Sequence, residues 1–492
     1  VKQSGKKCSH LNNLKTLVAS LCLTLLCHSA IASEASRNNL PSFGDTTSGI
    51  ISLDQEYALG QSFLRALRAQ APLLSDPLMQ DYLERLIYLL ASHSNLVDRR
   101  ITVAIINDPT INAFAVPGGI IGVNLGLFLN AESESEISAI LAHEIAHISQ
   151  RHFARRTEAS RKASVASMVG LLAGVVLLTT TGSDAGIAAI QASRGLSQSE
   201  LLRYSRGREK EADLIGIDTL AAAGFDPNAM AYMFERLNRA KRFSGRDIPE
   251  FLLTHPVTRN RIADSYAKST QLPKTDIETS LDYQLMRVRA VVLSSKSPAS
   301  AIVQMRALAN DADPVKQTAA KYGLALAQMR SGAFDASMQN LLGLQFDYPG
   351  KLAFAYAEAE LHLEATRYED ARDVLEGALR VTPGNYPLSM LYADALIKSA
   401  NPEKAAEILG SLSSERPQDH LVWYHLAEAQ GLADNIVGVH EARAEYFVRV
   451  GNFDQAIKQL GFATPMVRNN FQQSARIKQR IEEIFELKAA NS

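Results

Sequence analysis

Pro349, Pro383 and Pro417 stand 34 residues apart, twice over, within an alanine-rich stretch that begins near residue 280. Phe334 and Tyr368 keep the same interval, as do Ala371 and Ala405, and Leu375 and Leu409. A unit of this length holds two helices and their turns, and such a pair cannot bury its apolar face alone. It must stack on its neighbours. The period therefore predicts an α-solenoid over residues 280–492 and argues against an unrelated helical bundle.

Trp423-x-x-Leu426-Ala427 falls at the phase where a tetratricopeptide repeat places its tryptophan and its leucine–small pair, so the solenoid resembles that family. Gly451-Asn452-Phe453-Asp454-Gln455-Ala456 carries the second-helix pattern again, one and a half periods after Ala405, which implies a phase shift. Stacked helix pairs leave a concave groove suited to extended segments of partner proteins. His362, His420, His425 and His440 are scattered through this half, as surface or packing histidines would be.

The other end of the chain reads differently. Four lysines and no acid occur in residues 1–32, where the apolar run Thr16–Cys27 is followed by Ala30-Ile31-Ala32. The pattern predicts a signal peptide over 1–32, too short in its apolar run to anchor in a bilayer; the alternative is an uncleaved N-terminal helix. Such a leader with no second anchor predicts the periplasm. Cys8, Cys22 and Cys27, the three cysteines, all lie inside it, which excludes a disulfide scaffold, a cysteine nucleophile or a thiolate metal site from the rest. Removing the leader's four lysines from the 51 basic residues leaves 47 against 52 acidic ones, a net charge of −5. No basic field recruits nucleic acid.

Between the leader and the solenoid, residues 33–275 predict a mainly α domain with a small β-sheet. Apolar spacing is helical from Leu53 to Leu90. Ile101–Ile106, Ala113–Val116 and Ile120–Val123 read as short strands, the last two joined by a turn at Pro117-Gly118-Gly119. Ser133, with Glu136 three residues on, opens a long helix expected to reach about Ser160. Residues 165–178 are apolar all round yet too few to cross a bilayer, which suits a buried helix or hairpin. The alternative is a surface making peripheral membrane or client contact. A further helix, from about Ser197 into Ala223, is expected to stop at Gly224.

His143-Glu144-Ile145-Ala146-His147 lies on the first of these long helices. Histidines four apart sit one turn above the other on one face, so both imidazoles can hold one Zn2+ ion per chain. Glu144 projects beside them as the catalytic base. Phe153 stands where one class of such enzymes carries a third histidine, so the third ligand must come from elsewhere. His152, about 180° around the helix from His143, cannot close the site without a sharp bend and reads as a flanking residue or one that supports a ligand from behind. Arg208-Glu209-Lys210-Glu211-Ala212-Asp213 offers carboxylates on a second helix. Glu209 with Asp213 on one face, or Glu211, could serve, and periodicity leaves both open.

Asn112-Ala113-Phe114-Ala115-x-Pro117-Gly118-Gly119, His143-Glu144-x-x-His147 and Glu209-x-x-x-Asp213 followed by Gly216 resemble, in this order, the HtpX-like zinc metallopeptidases. The resemblance covers roughly residues 50–265. It implies a gluzincin-type site in which Glu209 is the third ligand beside His143 and His147, with Glu144 and Asp213 as catalytic residues. Asn112, Ala113 and Phe114 would form an edge strand for substrate. For a chain that joins such a domain to repeats, the resemblance implies misfolded outer-membrane proteins as substrates. It also implies the outer-membrane β-barrel assembly machinery as the partner of the repeats. The alternative is a chaperone or assembly factor acting mainly through those repeats. His255, in Leu252-Leu253-Thr254-His255-Pro256, admits two readings. It is a loop histidine before a helix opened by Pro256, or a fourth metal ligand that gates the site.

Overall fold

The computed structural model describes residues 51–159, 206–243, 249–273 and 279–491. The expected signal peptide and the apolar run 165–178 lie outside these residues. The helical stretch expected from Leu53 to Leu90 is two helices, α1 (Leu53–Gln70) and α2 (Pro77–Ser92). Ser52 and Gln55 exchange side-chain and backbone hydrogen bonds to start α1, and the Asp76 carboxylate accepts the Met79 N–H to start α2. Between them Leu74 N–H donates to Ile105 O, which ties the connection to the sheet.

Three strands follow, β1 (Thr102–Ile106), β2 (Ala113–Val116) and β3 (Ile120–Asn124), in the order β1-β3-β2. β3 pairs parallel with β1 and antiparallel with β2, so β2 is an edge. The β2–β3 turn needs both of its glycines. Gly118 and Gly119 have φ of +80° and +78°, and a Cβ on either would meet Glu56 O at 2.5 Å or Arg100 O at 2.2 Å.

After a short α3 (Leu125–Asn130), α4 (Glu134–Ser149) is capped by the Ser133 hydroxyl and buried from Ser135 to His147. A helix buried on all sides is a core helix, and its polar residues there must find partners inside. It does not continue to Ser160. Arg151 turns into the left-handed region, φ +49°, and α5 (His152–Ala159) starts in a new direction. α6 (Arg206–Ala222) lies along α4 and ends at Gly224, φ +86°, as its sequence predicts. At Gly216 a Cβ would stand 3.2 Å from His143 N, so a small residue there lets the two helices approach at the functional histidines. α7 (Ala229–Phe243), α8 (Glu250–Thr254) and α9 (Arg259–Ser269) complete this half.

The solenoid comprises α10 (Leu281–Ser294), α11 (Pro298–Leu308), α12 (Pro314–Arg330), α13 (Phe334–Asp347), α14 (Leu352–Glu364), α15 (Tyr368–Val381), α16 (Tyr386–Lys398), α17 (Pro402–Glu415), α18 (His420–Leu432), α19 (Ile436–Arg449), α20 (Phe453–Ala463) and α21 (Phe471–Ala490). Its period is visible in the backbone. Gly332, Thr366, Ala400 and Asp434 share a positive φ at equivalent turns, one period apart. The same turn recurs at Gly451 half a period later, which is the phase shift expected near the end.

Residues Ile50–Ser492 form one compact unit, and a single apolar cluster runs from Leu78 to Ala442. α10 joins its two halves. Tyr283 stacks on Phe128 and donates to Ala131 O at 2.8 Å. Arg289 Nε reaches Asp76 at 2.7 Å while its other nitrogens grip Glu360 of α14. Farther along, Arg416 pairs with Glu84 at 2.7 Å.

Candidate metal centre

His143 and His147 project from α4 one turn apart, with their Nε2 atoms 3.0 Å from each other. Glu209 enters from α6, its oxygens 3.7 Å from His143 Nε2 and 3.5 Å from His147 Nε2. His255, at the end of α8, brings Nδ1 to 3.3 Å from His143 Nε2 and 3.1 Å from Glu209. These four buried residues can each turn one donor atom into a common space, all within 4.8 Å of one another. Four donors at zinc bond lengths of ~2.0–2.1 Å in a tetrahedron stand about 3.4 Å apart. The observed separations bracket that value, so the cluster fits a small divalent cation.

Electrostatics favour the same use. Burial, reinforced by neighbouring imidazoles, drives the His147 pKa well down, which keeps the ring in its neutral, metal-binding form. Burial alone would raise Glu209, but His255, His143 and Arg261 outweigh it and hold the carboxyl at about 2. Asp213 Oδ1 lies 2.9 Å from His143 Nδ1, where it orients that ring. Glu144 is buried beside the cluster and raised by that burial. Its carboxylate accepts the Ala115 N–H, while Oε1 makes no hydrogen bond and lies 3.6 Å from His255 Nε2. An unsatisfied buried oxygen aimed at a donor cluster is suited to receive a proton there.

Several placements depart from sequence expectation. The straight continuation of α4 is what fails: the left-handed turn at Arg151 puts His152 Nδ1 2.9 Å from His147 Nδ1, in the supporting position its sequence allowed. Glu211, open as a ligand from periodicity, points outward to His152 and Arg155, and Glu209 takes the position among the donors. Arg261 of α9 escaped sequence reasoning. It is buried, grips both Asp213 oxygens at 2.7 Å and lies 2.8 Å from Glu209. No local pattern marked it, because its partners lie in a distant helix. On the expected substrate edge, Asn112, Ala113 and Phe114 are buried. Asn112 Nδ2 donates to Glu250 at 3.0 Å and Phe251 N–H to Ile111 O at 3.3 Å, so α8 lies across the start of that edge.

Fold and site together define a metallopeptidase of the helix-borne His-Glu-x-x-His class. Residues 77–267 match Peptidase family M48 and residues 362–429 match the Tetratricopeptide repeat. The chain is 32% identical, over 97% of its length and 96% of the relative's, to the beta-barrel assembly-enhancing protease of Escherichia coli K12. It is 35% identical, over 94% of its length and 96% of the relative's, to a putative beta-barrel assembly-enhancing protease of Vibrio cholerae. It belongs to this family of M48 metalloendopeptidases. Its peptidase half also resembles the mitochondrial metalloendopeptidase OMA1 of Schizosaccharomyces pombe, 33% identical over 37% of this chain and 50% of that one. Among the described residues no helix is long and apolar enough to cross a membrane.

Proposed function

We propose that the chain is a zinc-dependent endopeptidase of the periplasm that degrades misfolded or stalled outer-membrane proteins and assists their assembly. The observation that carries this reading is the cluster of His143, His147, Glu209 and His255 beside the unsatisfied Glu144 oxygen. His143, His147 and Glu209 would hold one zinc ion, which supplies a Lewis acid and a water of lowered pKa. Glu144 takes the proton from the attacking water and delivers it to the leaving amine. Asp213 holds the His143 ring in orientation. A client strand would add to the β2 edge through backbone hydrogen bonds, which demand little of its sequence. The solenoid groove would dock the β-barrel assembly machinery, as the names of the relatives suggest. Zinc content and casein proteolysis of the purified chain, compared with His143→Ala, test the reading. Equal zinc and equal proteolysis in the two would overturn it.

His255 would supply a fourth donor and also faces Glu144, so with a metal bound it would take the place of the attacking water. Client or partner binding would lift α8. His255→Ala should therefore raise basal proteolysis while zinc stays bound to the other three donors. Unchanged or lower activity with zinc retained would return His255 to the role of a loop histidine.

The contact that pins α8 carries its own pH dependence. Burial, and then the nearby Asp108 charge, push the Glu250 carboxyl from 4.5 up to about 7 despite the hydrogen bond from Asn112. Because the closed form favours the protonated acid, closure is fully supported below about 4.5 and loses support as pH rises through about 7. Basal proteolysis should thus climb more steeply between these values in the unaltered chain than in Glu250→Gln. Superimposable pH profiles would refute this latch.

A further inference from the structure

We infer that His152 and Glu211 are positioning residues for metal binding, forming a hydrogen-bonded chain that fixes His147 from the protein surface. The inference rests on the reading of His147 as a metal ligand. α4 stops at Ser149 and the left-handed turn at Arg151 folds the chain back, placing His152, fully buried, directly behind the His147 ring. His152 Nδ1 is 2.9 Å from His147 Nδ1, and His152 Nε2 is 3.1 Å from Glu211 Oε2. Arg155 Nη1 holds both Glu211 oxygens at 3.2 Å.

One placement of hydrogens satisfies this whole row. His147 presents Nε2 to the donor cluster, so its ring hydrogen is on Nδ1 and is donated to His152 Nδ1. The hydrogen of His152 is then on Nε2, where it is donated to the Glu211 carboxylate. Each ring has its orientation set by the next, and the row ends on a charged pair about one-third exposed to solvent. His143 is served differently, since Asp213 lies directly against its Nδ1. The two histidines of one motif thus have unlike supports: a carboxylate in contact for His143, and a carboxylate one imidazole away for His147. The strained backbone at Arg151, a non-glycine residue in the left-handed region, is what brings His152 into line.

Outer partners of metal-binding histidines are typically worth 10–100-fold in metal affinity. The test uses the full chain loaded with zinc and follows zinc transfer to a chromogenic chelator, with the visible spectrum of the cobalt-substituted protein as a second readout. His152→Leu, which lacks an acceptor, should weaken zinc retention by about 10–100-fold and alter the cobalt spectrum. His152→Asn can return an acceptor oxygen to the Nδ1 position and should recover most of the loss. Glu211→Gln should weaken retention by a smaller factor in the unaltered chain and by none in the His152→Asn background, where the row is already cut. If His152→Leu misfolds, the Asn and Gln variants decide alone. Equal effects of Glu211→Gln in both backgrounds, or full zinc retention by His152→Leu, would overturn the inference. If the unaltered chain holds no zinc, the metal reading itself falls, and that result is distinct from either of these.

Discussion

Replacing Glu144 with glutamine should leave the metal in place and lower proteolysis by about two to four orders of magnitude, the usual contribution of a general base. Glutamine keeps the shape of the side chain and an oxygen to accept the Ala115 N–H, so the local structure has no reason to shift. The four clustered donors do not include Glu144, so metal content should be unchanged. What the amide cannot do is accept the water proton. Hydrolysis of an unfolded protein, measured beside bound metal, checks both halves of this expectation. Activity within tenfold of the unaltered chain would remove Glu144 from its proposed role. The same variant, returned to cells lacking the protein, separates hydrolysis from assembly: full rescue would show that hydrolysis is not the main function.

Arg289→Met should destabilise the whole chain by ~3–5 kcal/mol, the usual consequence of removing one member of a buried ion group. Arg289 is only 4% exposed, yet it binds Asp76 from the start of α2 and Glu360 from α14, and its guanidinium lies over the Tyr356 ring at 5.4 Å. Methionine fills the volume but leaves two carboxylates facing each other inside the core. Burial already pushes Glu360 upward even with the arginine present. Because these partners belong to opposite halves of the molecule, urea unfolding should shift as one transition for probes placed in either half. A loss below 1 kcal/mol, or two separated transitions, would show that Arg289 does not couple them.

The histidine pair was legible from sequence because its spacing is local: four residues on a helix determine a shared face. The solenoid was legible for a similar reason, since repeated prolines and alanines mark repeated caps and contacts. Its turns were less so. Gly332, Thr366, Ala400 and Asp434 adopt one backbone conformation with four different side chains, and only the backbone shows their equivalence. Glu209 and Glu211 could not be separated by periodicity, because the choice depends on how α6 rolls against α4 at Gly216. His152 supports a ligand ring only through the bend at Arg151, and an arginine is a rare residue at a left-handed turn, so nothing in the sequence signalled the break. Arg261 and Arg289 owe their roles to partners 48 and 213 residues away, a distance at which spacing carries no information.

The donor cluster also acts on the chain's topology. His143 and His255 are 112 residues apart, Glu209 and His255 are 46 apart, and no cysteine occurs beyond Cys27. An ion held by all of them would tie together segments that no disulfide can join, since they lie beyond the last cysteine. Because the ion would bind the assembled cluster and not the unfolded chain, it would stabilise the fold by mass action. A chelator should therefore untie the molecule as well as silence it, lowering its resistance to heat. A chain deprived of its ion would spend more time open, and would itself become a substrate for any protease nearby.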